Sequence, residues 1–130
     1  MNMSFSQYRD HVLLLLRLMV GAIFINHGLM KTGMWSAAPE GMSDTMVMIM
    51  KLLSIAEPLA GVALILGVLT PVASVGIAAV MISAMIRRLP NGDAFSKYEF
   101  EGILFLLSIA FIVMGPGKYS VDVWLTSRKK

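Results

Sequence analysis

The chain has 130 residues, of which 57% are hydrophobic and 15% charged, with a mean hydropathy of +0.75. Soluble domains carry about 25% charged residues, and one this small and apolar would expose enough hydrophobic surface to aggregate, so lipid is the expected solvent of its outer faces. The absence of cysteine excludes disulfides, iron–sulfur ligation, thiolate metal sites and a thiol nucleophile, while a net charge of +3 carried mostly at segment ends suits lipid head groups and not nucleic acid.

Residues 1–11 read as a polar lead-in with Phe5 and Tyr8 as interfacial aromatics. The first apolar helix is expected over 12–30, interrupted by Arg17, Asn26 and His27. Ser36-Ala37-Ala38 loosely resembles a signal-peptide cleavage site, but Arg17 inside the would-be apolar region favours a retained helix. A second helix spans 46–69 and carries Lys51 and Glu57; Thr70-Pro71 ends it, because proline cannot continue the backbone hydrogen-bond ladder. The third, over 71–87, closes on Arg87-Arg88 and runs into the turn signal Leu89-Pro90-Asn91-Gly92-Asp93. The fourth, over 99–114, stops at Gly115-Pro116-Gly117.

Roughly 20 helical residues cross the hydrocarbon. The first two runs meet that length, and the last two lie near its lower limit. None alternates with period two, which excludes a barrel and leaves helices as the spanning element. The expected fold is therefore all-α: one domain forming an up-down-up-down four-helix transmembrane bundle. Counting basic residues at the two ends leans towards cytoplasmic termini, helped by Arg128-Lys129-Lys130.

Small residues mark the packing faces. Arg17, Gly21, Phe24, Gly28 and Lys31 recur at helical spacing, as do Glu57 and Gly61, with Ala56, Ala60, Ala63 and Gly67 forming an adjoining stripe. The third helix offers Ser74, Ala78, Ala79 and Ser83.

The ionisable residues inside these helices are the functional candidates, since each costs roughly 2.5–3.5 kcal/mol at mid-membrane. Counting from the helix ends places Arg17 and Glu57 within ~7 Å of one another in depth, so the two are expected to pair. Towards the opposite face from the termini, His27, Lys31 and Glu99 are expected to form a polar mouth. Glu99 and Glu101 also suit a helix N-terminus by charge alone. The two histidines, His11 and His27, lie far apart on one helix, so no metal or haem site is expected. A redox partner would be a quinone or a cofactor on another subunit.

Several segments together carry a family resemblance. Leu-Arg-Leu…Gly…Phe…His-Gly-Leu-Met-Lys (16–31), Glu57…Gly61…Leu-Ile-Leu-Gly…Thr-Pro (64–71), Tyr98-Glu99 and Gly-Pro-Gly-Lys-Tyr-Ser-Val-Asp (115–122) resemble the DoxX family of small four-helix membrane proteins. The resemblance covers almost the whole chain and implies carry-over onto Arg17, Gly28, Lys31, Glu57, Glu99 and Asp122. Val121, where leucine or isoleucine is usual, is a departure. The family takes its name from a subunit of a membrane thiosulfate:quinone oxidoreductase. The resemblance thus implies a bacterial inner-membrane, quinone-associated redox component, with Glu57, His27 and Arg17 as catalytic candidates. Lys31, Glu99 and Gly28 would bind the cofactor, and a soluble oxidoreductase would be the partner. The rival expectation is a non-catalytic scaffold subunit docking soluble proteins. A small transporter, which would need a homo-oligomer to enclose a path, lacks the broken helices or inverted repeat such proteins use.

Overall fold

The computed structural model describes residues 5–129; Lys130 of the basic tail and the first four residues of the lead-in lie outside them. Five α-helices follow in order: α1 (Arg9–Met30), α2 (Asp44–Leu66), α3 (Thr70–Arg88), α4 (Glu99–Met114) and α5 (Val121–Ser127). No strand occurs among the described residues. Short 3-10 turns, Phe5–Tyr8 and Thr32–Trp35, extend α1 at both ends, so the described part of the lead-in is helical.

Three segments are long and apolar enough to cross a membrane: Phe5–Trp35, Asp44–Leu66 and Thr70–Asn91. With 16 residues, α4 is shorter and reaches ~24 Å. Large apolar side chains such as Leu15, Leu52, Leu59, Val75 and Val113 point outward along α1 to α4, the distribution lipid demands and water forbids. The chain is a multi-pass membrane protein. No helix is expected from the sequence after 114, and α5 adds an element to the expected four. Ser120 starts it, its hydroxyl accepting the Val123 N–H at 3.3 Å.

Helix ends follow local chemistry. Ser43 caps α2 by accepting the Met46 N–H at 3.2 Å. Gly67, at φ +69°, ends α2 three residues earlier than the sequence suggests. Its N–H bonds to Leu64 and that of Val68 to Ala63, which satisfies the last-turn carbonyls. Leu69 also takes a left-handed conformation, φ +48°, before Thr70 and Pro71 open α3.

The helices form two hairpins, α1 against α2 and α3 against α4, while α2 and α3 touch less closely and α1 meets α4 at few positions. In the first hairpin Gly21 and Gly61 let the backbones meet. A Cβ on Gly21 would lie 2.6 Å from the Gly61 carbonyl oxygen, and one on Gly61 would lie 2.5 Å from that of Gly21. A Cβ on Gly28 would overlap the Pro58 ring. The core is drawn from four helices: Leu13, Val20 and Phe24 of α1, Leu64 of α2, Ile77 and Met81 of α3, and Leu104 and Phe111 of α4. Gly28→Ala is expected to push α1 from α2 and cost about 1–3 kcal/mol, as overpacking does. A denaturant midpoint in detergent equal to the wild type's would refute this contact.

Candidate functional site

The central ion pair is Lys31–Glu57, with Nζ 2.7 Å from Oε2. Glu57 is 3% exposed and Lys31 23%, and Lys31 also donates to the His27 carbonyl oxygen at 3.2 Å. This corrects the expected Arg17–Glu57 pair. The hairpin register sets Gly28 against Pro58, Gly21 against Gly61 and Arg17 against Gly67. Glu57 therefore lies level with Lys31, roughly ten residues or ~15 Å along the axis from Arg17. Lys31 is also deeper than its place at the end of α1 suggests. The turn Thr32–Trp35 carries the chain onward beside α2, where the Trp35 Nε1–H donates to Ser54 Oγ at 2.9 Å.

Glu57 forms a wall of two cavities. One, of about 120 Å³, is otherwise apolar and lined by Phe24, Leu53, Ala60, Gly76 and Val80 among others. The second, of about 130 Å³, brings His27, Lys31, Arg87 and Glu101 to the same carboxylate. His27 is half-buried and lies between two rings, 6.1 Å from Phe24 and 5.9 Å from Phe100. Of the acidic pair at the head of α4, Glu101 enters the pocket, bonded to Arg88 at 3.2 Å. Glu99 is exposed and outside it. Two residues further along α4 turns the side chain by ~200°, so Glu101 takes the place in the polar mouth expected of Glu99. Gly28 contributes the close approach to Pro58 and does not line the pocket.

The structure therefore gathers His27, Lys31 and Glu57, adds Glu101 and Arg87, and leaves out Arg17 and Glu99. Arg87 carried no role in the sequence reading beyond ending α3. Its only sequence signal was a basic pair closing α3 just across the connection from the acidic residues that open α4, legible once α3 and α4 are known to be neighbours. Chemically the site offers an ammonium donor and a carboxylate that can hold a proton, at the boundary of an apolar space.

Arg17 belongs to a second polar centre at the end carrying the termini. It is fully buried, and its Nη2 donates to the Tyr119 carbonyl oxygen. Asp122 accepts the Leu69 N–H at 2.8 Å and the Thr70 N–H at 2.9 Å, capping α3 from outside the helix. Its own N–H returns to the Gly67 carbonyl oxygen at 2.9 Å. Burial pushes the Asp122 carboxyl up, but the bonds from Thr70 and Leu69 and the Arg17 charge outweigh it, leaving the pKa below the ordinary value. A depressed carboxylate stabilises the fold above its unfolded pKa of ~3.9 and loses that contribution as pH falls through the folded value. Asp122→Ala is expected to cost about 1–2 kcal/mol at neutral pH and to shed its excess over wild type below pH ~4. A variant whose melting temperature differs from wild type equally at neutral pH and well below that range would refute the clasp.

Compared with known proteins, residues 12–87 match the family model described as DoxX, a stretch that runs from the start of the first apolar helix nearly to the end of α3. No curated protein and no solved structure matches the chain.

Proposed function

Because the chain belongs to the DoxX family, we propose that it is a quinone-associated redox component of a bacterial inner membrane, with Lys31 and Glu57 at the quinone head group. In this reading α4 crosses the bilayer as the fourth span, the termini face the cytoplasm, and a soluble oxidoreductase delivers electrons. One observation carries the proposal: a carboxylate 3% exposed and ion-paired forms a wall of both an apolar cavity and a polar pocket.

The residues present suit a quinone. Its ring is flat and apolar, matching the walls made by Phe24, Leu53 and Val80, and its carbonyl oxygens accept hydrogen bonds, which the Lys31 ammonium can donate. A quinone supplies a two-electron, two-proton acceptor when bound. Glu57 would hold or release a proton beside that head, at a position where its pairing with Lys31 responds to what occupies the cavity. Within the same pocket, His27 would pass protons towards the charged rim of Arg87, Arg88 and Glu101.

Purification from native membranes with solvent extraction tests this directly. The expected result is quinone in stoichiometric amount, lost in Glu57→Ala. Absence of quinone from the extract, together with no saturable binding of added quinone, would overturn the reading. A stoichiometric soluble protein recovered without quinone would favour the scaffold function instead.

A further inference from the structure

The gap between α2 and α3 contains more than the two cavities at Glu57. A third groove, about 320 Å³, lies along the outer side of the same gap, lined by Met46, Ile49, Leu53, Ala79, Ser83 and Arg87. Leu53 and Val80 line all three spaces, and Arg87 lines both the outer groove and the polar pocket. Together they fall within the ~300–1,000 Å³ usual for small-molecule sites.

Small side chains hold the gap open. Ala56, Gly76 and Ala79 face it, and a Cβ on Gly76 would meet nothing within 4 Å. The groove offers little to a polar occupant along its length. Ser83 turns its hydroxyl to the Ala79 carbonyl oxygen at 2.7 Å, and Arg87 is its one charged lining residue, bonded to Met46 Sδ at 3.5 Å. Among the described residues Arg87 has no carboxylate partner. Elsewhere the bundle closes its seams: α1 meets α2 through Gly21, Gly28 and Gly61, and α3 packs on α4 through Ile77, Met81, Leu104 and Phe111.

We propose that the α2–α3 gap is a lateral portal in which the polyisoprenoid tail of a membrane quinone lies, its head at Lys31–Glu57 and its tail passing Leu53 and Val80 over Ala79 into the bilayer. The identity of the head group rests on the function proposed above; the seat for an apolar chain does not. An apolar tail gains nothing by crossing the charged rim of Arg87, Arg88 and Glu101, so entry from the lipid side is the favourable route. Each buried methylene contributes ~0.8 kcal/mol, so the tail, more than the head, sets affinity.

The chain has no cysteine, so Ala79→Cys provides a single labelling position. In nanodiscs this variant, alkylated with a bulky maleimide, is expected to bind a long-tailed quinone at least roughly tenfold more weakly. Binding of a single-isoprene analogue should stay unchanged. Val113→Cys, on the exposed face of α4, carries the same label as control and should bind both normally. Unchanged binding of the long-tailed quinone would overturn the portal while leaving the quinone reading intact. Equal loss of both analogues would assign the groove to the head and overturn the tail seat. If unmodified protein binds neither quinone, the head-group reading fails. Protection of the Ala79→Cys thiol from maleimide by oleate then decides the seat: protection retains an apolar-chain site, and full reactivity refutes it.

Discussion

Glu57→Ala is expected to destabilise the protein by about 3 kcal/mol, the lower part of the range for breaking a buried ion pair. Lys31 retains 23% exposure, so some of its charge is recovered by solvent or lipid head groups, as for a snorkelling lysine. Lys31→Met should cost at least as much as Glu57→Ala, because it leaves the more deeply buried partner, a carboxylate 3% exposed, without its ammonium. The double variant Lys31→Met/Glu57→Gln should regain most of the loss, since replacing both charges removes the need to desolvate either. A double-mutant cycle on unfolding midpoints in detergent, closed with the single variants Lys31→Met and Glu57→Gln, checks this. Additive effects of the two single changes would mean that the pair contributes no coupling and that Glu57 is held by something else. Quinone retention separates fold from function in the same set: the double variant should be stable and yet empty.

The helices were legible because apolar runs, prolines and glycines mark them independently of any partner. Gly21, Gly28 and Gly61 were legible for the same reason, since helical spacing of small residues on one face shows which side a neighbour approaches. Pairing across helices was not. The expected Arg17–Glu57 contact relied on depth counted from helix ends, and a few residues of error at each end shift the partner by more than a turn. Here the turn Thr32–Trp35 prolongs α1, and α2 stops at Leu66. The first sets Lys31 deeper, level with Glu57; the second alone would bring Glu57 nearer Arg17, and the register of the contacts outweighs it. Pro58 was the missed clue. It sits beside Glu57 and packs into the space Gly28 leaves, which fixes the register that depth alone could not. Counting back from Gly115 in the family pattern favours Glu99 over Glu101; the structure turns Glu101 into the pocket, and an almost wholly apolar helix has little amphipathic asymmetry to reveal such a rotation. The seven-residue α5 was too short to leave a periodic signal, although Ser120 and Asp122 carried its start.

Gly67→Ala is expected to be as damaging as Arg17→Ala, though it removes nothing from the protein. The added Cβ would overlap the Arg17 guanidinium and lie 2.9 Å from the Ser120 Cα, at a backbone φ of +69° that an L side chain resists. Arg17 has nowhere to retreat, being fully enclosed. Arg17→Ala leaves a large void and an unpaired Tyr119 carbonyl oxygen, and about 4 kcal/mol is the expected cost. Arg17→Met fills the void but still leaves that carbonyl unpaired, so it should cost only about 1–2 kcal/mol. Its Nε and Nη1 already lack protein partners, and removing them recovers part of the desolvation they incur. Arg17→Lys should not restore the wild type, because an ammonium on a shorter reach cannot reproduce the fork that spans Gly67 and Tyr119. Limited proteolysis locates the damage. In Gly67→Ala and both apolar Arg17 variants, cleavage should rise first within Val121–Ser127, the helix that this arginine and Asp122 hold against the bundle, while α1 to α4 stay resistant. Cleavage appearing first between α1 and α2 would place the role of Arg17 in that hairpin and not at the α5 clasp.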